Sequence, residues 1–355
     1  MAKVLMKGNE AIGEAAIRAG CKNYFAYPIT PQSEVAEYLV KRMPEEGGTF
    51  LQGESEVAVG YMIFGAAACG ERVMTTSSSP GVSLMSEALS YIAGAQCPAV
   101  FVNIVRGGPG LGGILPSQGD YFQATKGGGH GDYHLLVLAP ESVQEAVEMT
   151  MEAFTLAEKY RGPVMIMGDG LIGQMMEPVE FPDDLVTEPT NKDGWATNGM
   201  STRGSKERNL VKSLFLDPTA LNNNNLELKA KYEQMKKEDV RYELYNADTD
   251  YQILITSYGT MSRVCRTAID MLKEEGIEVA LLRPKTLFPF PEKQTFDAAA
   301  KESCKAVISI EMSMGQMVED VERCVKGQKP VEFYGECGGD IPSPEKIIEI
   351  IKGLL

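Results

Sequence analysis

The tripeptide Glu54-Ser55-Glu56 stands at the mouth of a segment that is apolar nearly throughout: Val57, Ala58, Val59, Tyr61, Met62, Ile63 and Phe64. Acids in a first helical turn ordinarily serve the helix dipole from the water side. A helix start this apolar is expected to be buried, and a desolvated glutamate holds its proton more tightly, which suits acid–base chemistry. On the residues alone both readings stay open. A second chemical group is Arg106, directly after the apolar run Ala99 to Val105. A cation at the C-terminal end of a central parallel strand lies in the ligand crevice, where a guanidinium can take a carboxylate through two hydrogen bonds. The competing reading is a structural ion pair.

Three other motifs invite chemistry and fail on context. Gly108-Pro-Gly110-Leu-Gly112-Gly113 contains G-x-G-x-x-G after a strand. A dinucleotide site needs a helix to open there, and Ile114-Leu115-Pro116 follows instead, so a Gly-rich active-site loop is the better reading. Gly168-Asp169-Gly170, with Asn198 downstream, has the outline of a Mg²⁺-diphosphate motif. The stretch between its ends reads as linker, so Asp169 is expected to end a strand and no metal is assigned to this chain. His130 and His134 are spaced like a zinc pair on a helix. They lie in Lys126-Gly-Gly-Gly-His130-Gly-Asp-Tyr-His134, where glycine at that density will not hold a helix.

These groups need strands and helices to position them. Asn23 to Tyr27, Thr49 to Gln52, Arg72 to Thr76, Pro98 to Val105, Leu135 to Leu138 and Pro163 to Met167 read as strands. Gln32 to Arg42, Ser55 to Cys69, Gly81 to Gly94 and Ser142 to Tyr160 read as helices. Continuous apolar strands alternating with helices predict an α/β fold: a doubly wound parallel sheet covered on both faces, with its ligand edge beyond the strand C-termini. Residues 1–182 form this first domain. Residues 183–250 read as a connecting arm holding one amphipathic helix, because Leu228, Tyr232 and Met235 fall at i, i+4 and i+7. Residues 251–355 restart the alternation as a smaller α/β domain, with strands at Tyr251 to Ser257, Val279 to Leu282, Ala306 to Ile310 and Val331 to Tyr334.

Composition narrows the function classes. The chain of 355 residues carries 34 Lys+Arg against 49 Asp+Glu, a net charge of −15. So acidic a chain has no general affinity for a phosphate backbone, which argues against nucleic acid. No apolar run is long enough to span a bilayer, and residues 1–8 do not read as a signal peptide, so the expectation is a cytoplasmic protein without a membrane partner. The seven cysteines (Cys21, Cys69, Cys97, Cys265, Cys304, Cys324 and Cys337) are scattered. Without a C-x-x-C spacing the chain is a poor holder of an iron–sulfur cluster or a structural zinc.

The segments Tyr27-Pro-Ile-Thr30-Pro-Gln-Ser-Glu, Gln52-Gly-Glu-Ser-Glu56, Thr76-Ser-Ser-Ser79-Pro80-Gly81, Arg106-Gly-Gly-Pro-Gly, Lys126-Gly-Gly-Gly-His-Gly and Leu282-Arg-Pro-Lys-Thr-Leu-Phe-Pro-Phe-Pro291 occur in that order. Together with Glu311 to Gln316 they resemble the α subunit of thiamine-dependent 2-oxoacid:ferredoxin oxidoreductases over nearly the whole chain. Within that family the Lys126 and Arg106 loops resemble most the branch that acts on 2-ketoisovalerate (3-methyl-2-oxobutanoate). The resemblance implies a thiamine-diphosphate-binding domain of the pyrimidine type followed by a transketolase C-terminal-like domain. It implies CoA-dependent oxidative decarboxylation of a 2-oxo acid, with electrons passed to ferredoxin. It implies a β subunit carrying the diphosphate, Mg²⁺ and a [4Fe–4S] cluster, a γ subunit, and a ferredoxin-like δ subunit. By the same resemblance Glu56 is the carboxyl group that activates the thiamine pyrimidine. Pro28, Ile29, Ser79, Pro80 and Gly81 line the cofactor, and Thr30 and Arg106 hold the substrate.

Two other classes remain beside this one. A free-standing NAD- or flavin-linked α/β oxidoreductase would bind a dinucleotide tightly as an isolated chain. A non-catalytic scaffold subunit of a thiamine enzyme would tolerate loss of Glu56.

Overall fold

The computed structural model describes residues 3–355, the Arg203 side chain excepted. In chain order its strands are β1 Val4–Lys7, β2 Asn23–Ala26, β3 Thr49–Gln52, β4 Val73–Ser77, β5 Ala99–Val105, β6 Leu136–Leu138, β7 Pro163–Asp169, β8 Met176–Val179, β9 Tyr242–Tyr245, β10 Ile253–Thr256, β11 Val279–Pro284, β12 Thr286–Phe288, β13 Ala306–Glu311 and β14 Val331–Gly335. Seven of them form one sheet in the order β12-β6-β7-β5-β4-β2-β3. Its pairings are parallel except for β12 on β6. All seven residues of β5 are buried, as a central strand covered on both faces requires.

The crossover after β2 leads outward to β3, and the one after β4 leads the other way to β5. The sheet therefore has its switch point between β2 and β4, where an open α/β sheet opens a crevice beyond the strand C-termini. Tyr27 to Thr30, Ser78 to Gly81 and Arg106 follow β2, β4 and β5 at that edge, and the loop after β3 leads into the helix of Glu56.

An antiparallel pair, β1 with β8, clips the chain start to the segment after β7. Between β1 and β2 runs helix Gly8–Arg18, whose buried Ala11, Ile12, Ala15 and Ala16 form one stripe at helical spacing. Sequence reading began its elements at Asn23 and did not include these. The helix expected over residues 81–94 is two, Ser79–Leu84 and Ser86–Gly94, with Met85 between them.

A second sheet has the order β14-β13-β10-β11-β9. Helix Pro218–Glu238 precedes β9 and buries Leu228, Tyr232 and Met235, the stripe read from the sequence. The two sheets exchange strands at their border. β9 pairs with β11 of the second sheet, and β12, after β11, returns to pair with β6 of the first.

The border is held by buried polar contacts. Gln118 donates from its amide to the Tyr258 carbonyl (2.8 Å) and accepts from Met312 N–H (2.9 Å). Arg283, fully buried, lies 2.9 Å from Glu141, 2.6 Å from Glu145 and 3.4 Å from Glu243. Among the described residues, those three acids are the group near enough to share a cation, and a guanidinium already stands among them.

Candidate active site

Helix Glu56–Ala68 is apolar on every side, and its buried stripe runs Glu56, Val59, Gly60, Ile63, Ala67. The carboxylate of Glu56 thus sits on the inward face, one turn before Val59 and Gly60. Burying Val59 and Ile63 contributes roughly 1.5–3 kcal/mol each, enough to hold the first turn against the sheet. Ser55 caps the helix by accepting from Ala58 N–H at 3.2 Å, so the cap does not need either glutamate. Glu54 is exposed and Glu56 is 7% exposed. Of the two acids, Glu56 lies on the buried side of the helix start, and its carboxylate oxygens keep contact with solvent.

The wall opposite Glu56 is the start of helix Ser79–Leu84. A Cβ on Gly81 would lie 2.8 Å from Glu56 Oε1 and 2.2 Å from Ser77 Oγ. The hydroxyls of Ser77 and Ser78 are buried without a hydrogen-bond partner. Among the described residues no hydrogen bond reaches the Glu56 carboxylate, and its oxygens keep contact with solvent, unlike the sealed hydroxyls of Ser77 and Ser78.

Arg106 is 7% exposed. Its Nη1 donates to the Thr30 carbonyl at 2.8 Å and its Nη2 to the Leu111 carbonyl at 3.2 Å. Its Nε is buried and unpartnered. Arg106 therefore ties the Tyr27–Thr30 turn to the glycine loop. Thr30 and Pro28 are exposed at the crevice and Ile29 is half-buried. Behind that turn, Asn9 donates to the Pro31 carbonyl and to Glu34 at 2.8 Å each. Tyr24 pairs with Thr76 at 2.6 Å, and Thr76 donates to Gln32. Ser79 Oγ accepts from Arg106 N–H at 3.1 Å and donates to the Arg106 carbonyl at 3.2 Å. The fold thus brings Thr30, Glu56, Ser79, Gly81 and Arg106 to one sheet edge.

The competing motifs resolve differently. In the glycine loop Gly113 N–H bonds back to the Gly107 carbonyl at 2.8 Å, and Arg106 bridges to Pro116. The next helix opens only at Tyr121, so the loop presents no helix N-terminus to a pyrophosphate. Asp169 ends β7 and spends one oxygen on Leu171 and Ile172 N–H at 2.9 and 3.1 Å. Burial pushes its carboxyl up, opposed by the N–H donors of that turn. Asp169 thus serves as the cap of helix Gly170–Gln174.

His134 stacks on Phe288 with ring centroids 4.2 Å apart, and burial lowers its proton affinity. His130 sits edge-on to Tyr91. Both lie in an irregular loop, His134 half-buried and His130 exposed. A cavity of about 450 Å³ lies between that loop and helix Pro218–Glu238, lined by Lys126, His134, Asn222, Lys229 and Tyr232. None of the Glu56 cluster lines it. Sequence reading passed over Asn103 and Asp120, which stand directly behind Ser79. The signal was present, since Asn103 is the one polar residue in the apolar run of β5.

Residues 14–243 match the family described as pyruvate flavodoxin/ferredoxin oxidoreductase, thiamine diphosphate-binding, and residues 252–347 match pyruvate:ferredoxin oxidoreductase core domain II. The chain is 47% identical over 352 residues to the ketoisovalerate oxidoreductase subunit VorB of Methanothermobacter thermautotrophicus, covering 99% of this chain and 98% of that one. It is 37% identical over 373 residues to the 2-oxoglutarate synthase subunit KorA of the same organism, covering 98% and 97%. Among solved structures, the 2-oxoglutarate:ferredoxin oxidoreductase of Magnetococcus marinus, with 2-oxoglutarate, coenzyme A and succinyl-CoA bound, superposes with a TM-score of 0.86 at 28% identity. That match covers 99% of this chain and 65% of the longer one. With both family regions matched in order and 47% identity to a named subunit over nearly the full length, the chain belongs to the pyruvate flavodoxin/ferredoxin oxidoreductase family, and residues 14–243 are its thiamine-diphosphate-binding region.

Proposed function

We propose that this chain is the subunit of a 2-oxoacid:ferredoxin oxidoreductase that holds the pyrimidine half of thiamine diphosphate. The complex converts a branched-chain 2-oxo acid, 3-methyl-2-oxobutanoate foremost, into acyl-CoA and CO₂ and passes the electrons to ferredoxin. The observation that carries this reading is Glu56, a residue 7% exposed whose carboxylate has no donor and faces the bare Cα of Gly81. A flat ring bearing a ring nitrogen and an amino group suits such a slot. It would satisfy the acid and the unpartnered hydroxyls of Ser77 and Ser78. When bound, thiamine supplies the nucleophilic carbon that adds to the 2-oxo group and takes up the electron pair that CO₂ leaves behind.

This chain's residues prepare that chemistry. Glu56 shares a proton with pyrimidine N1′ and so raises the basicity of the neighbouring amino group. Pro28, Ile29, Ser79, Pro80 and Gly81 shape the slot. We assign the substrate carboxylate and oxo group to Arg106 and Thr30; both Arg106 Nη atoms already hold backbone carbonyls, so the substrate would meet their remaining N–H groups.

A β subunit would supply the diphosphate site, Mg²⁺ and a [4Fe–4S] cluster, with γ and ferredoxin-like δ subunits completing a cytoplasmic complex. The capping role of Asp169 and the scattering of the cysteines support that division. So does the outward face of helix Glu56–Ala68. Val57 and Tyr61 are 41% and 37% exposed on a helix that is apolar all round, the pattern of a helix with protein on both sides. Preference for the branched-chain acid rests on the 47% identity to the ketoisovalerate subunit against 37% to the 2-oxoglutarate one.

The test is turnover of the co-expressed complex with CoA and a one-electron acceptor. The expected result is oxidation of 3-methyl-2-oxobutanoate well above 2-oxoglutarate, and none by this chain alone. Activity of the isolated chain, or a dinucleotide requirement, would replace this reading.

A further inference from the structure

Asn103 is wholly buried in the middle of β5. A primary amide there must have both ends paired, and it does. Its oxygen accepts from Ser79 N–H at 3.0 Å, and its NH₂ donates to Asp120 Oδ2 at 2.8 Å. The orientation is unambiguous, because a backbone N–H only donates and a carboxylate oxygen accepts. Ser79 in turn holds the Arg106 backbone through both its N–H and its carbonyl. Two residues after Ser79 comes Gly81, the wall against Glu56. One amide therefore fixes the spacing between the acid at one side of the crevice and the cation at the other.

Asp120 is anchored from elsewhere. It opens helix Tyr121–Thr125, and that helix is fastened to the second domain: Tyr121 donates to Asp320 at 2.5 Å, Lys126 to Asp320 at 2.6 Å, and Phe122 N–H to Gln316 Oε1 at 2.8 Å. The second domain thereby reaches the crevice through Asp120 and Asn103, besides packing Gly338 and Gly339 against Gly107 and Leu115 of the glycine loop.

We infer that Asn103, oriented by Asp120, is the positioning residue that sets Glu56 and Arg106 at working distance. This rests on the pyrimidine-site reading above. A shift of about 1 Å in such a spacing costs on the order of 10²-fold in rate.

The assembled complex tests it through exchange of the thiamine C2 proton, read by NMR after acid quench. Asn103→Leu removes both hydrogen bonds and should slow exchange by roughly 10²-fold. Asn103→Asp keeps the acceptor for Ser79 N–H but sets a second carboxyl against Asp120. Arg106 and Tyr258 are the other titratable groups facing Asp120. Two carboxylates so placed hold one proton between them at low pH and repel when that proton leaves. The exchange rate of Asn103→Asp relative to the unaltered complex should therefore rise as pH falls, which a merely packing residue would not produce. Unaltered exchange in Asn103→Leu, or a pH-independent ratio in Asn103→Asp, overturns the inference. Should Asn103→Leu fail to assemble, the pH profile of Asn103→Asp decides alone. Glu56→Gln measured alongside separates the two claims. If it slows exchange and the Asn103 variants do not, the pyrimidine site stands and the positioning role falls. If it does not slow exchange, the site reading falls and this inference with it.

Discussion

Gly81 is packed against Glu56 so closely that no side chain fits between them: a Cβ there would lie 2.8 Å from Glu56 Oε1 and 3.0 Å from its Cγ. The backbone of Gly81 is not left-handed, so the requirement is for space and not for conformational freedom. Gly81→Ala should push the Glu56 carboxylate and Ser77 Oγ out of place. The overpacking should cost about 1–3 kcal/mol of stability, visible as a lowered urea midpoint. Thiamine affinity of the complex should fall with it. Unchanged affinity would mean that the slot does not hold the ring.

Arg106→Ala should mainly impair use of the 2-oxo acid. Losing a charge-assisted contact in a closed site should cost on the order of 2–4 kcal/mol in kcat/KM. The variant also releases the Thr30 and Leu111 carbonyls, so a modest drop in melting temperature should accompany it. Steady-state kinetics at unaltered kcat/KM for every 2-oxo acid tried would leave Arg106 with its structural role alone.

The domain border carries a pH dependence. Burial disfavours the Glu145 carboxylate, but the hydrogen bonds and charge of Arg283, together with Lys285 and the Glu141 N–H, outweigh burial and hold it down at about 2, from an ordinary value of 4.5. A carboxyl depressed by folding contributes stability in full above its unfolded value. That contribution fades as pH falls from about 4.5 toward 2. Glu145→Gln should destabilise by about 2–4 kcal/mol near neutrality, somewhat under the usual loss for a broken buried pair, since Glu141 and Glu243 remain beside Arg283. Urea midpoints of the two proteins should converge on acidification. A gap that stays constant down to pH 2.5 would contradict the assignment.

Expressed alone, the chain should be colourless and should stay so after anaerobic incubation with iron and sulfide. Burial raises the thiols of Cys21, Cys97, Cys265 and Cys324 to about 12, which opposes thiolate ligation. A stable brown protein with the absorption of a [4Fe–4S] cluster would break the proposed division of labour.

Much of this fold was legible in the pattern. β5 and β7 are covered on both faces and read as continuous apolar runs, and the stripe Leu228, Tyr232, Met235 marked its helix. What escaped depended on partners far along the chain. Helix Gly8–Arg18 is rich in small residues whose burial follows from close packing, and β1 is a four-residue, partly exposed strand that pairs only with the distant β8. β9 and β12 are short strands whose sheet membership is decided by docking between domains. At the site, Glu56 and Glu54 could not be separated by type. The cap made by Ser55 fixes which of them lies on the inward face. Asn103 was hidden because a single amide in an apolar strand reads as noise until Ser79 and Asp120 are seen at its two ends.

The central claim is that Glu56 activates the pyrimidine. Glu56→Gln keeps size and a hydrogen bond but cannot supply the proton that N1′ must share, and it is nearly isosteric, so folding and assembly should survive. Thiamine C2 proton exchange in the reconstituted complex isolates this step from electron transfer. It should slow by roughly 10²–10⁴-fold in Glu56→Gln, while Glu54→Gln, altering an exposed side chain, should exchange at nearly the unaltered rate. Exchange that is undiminished in Glu56→Gln, or slowed only in Glu54→Gln, would contradict the account.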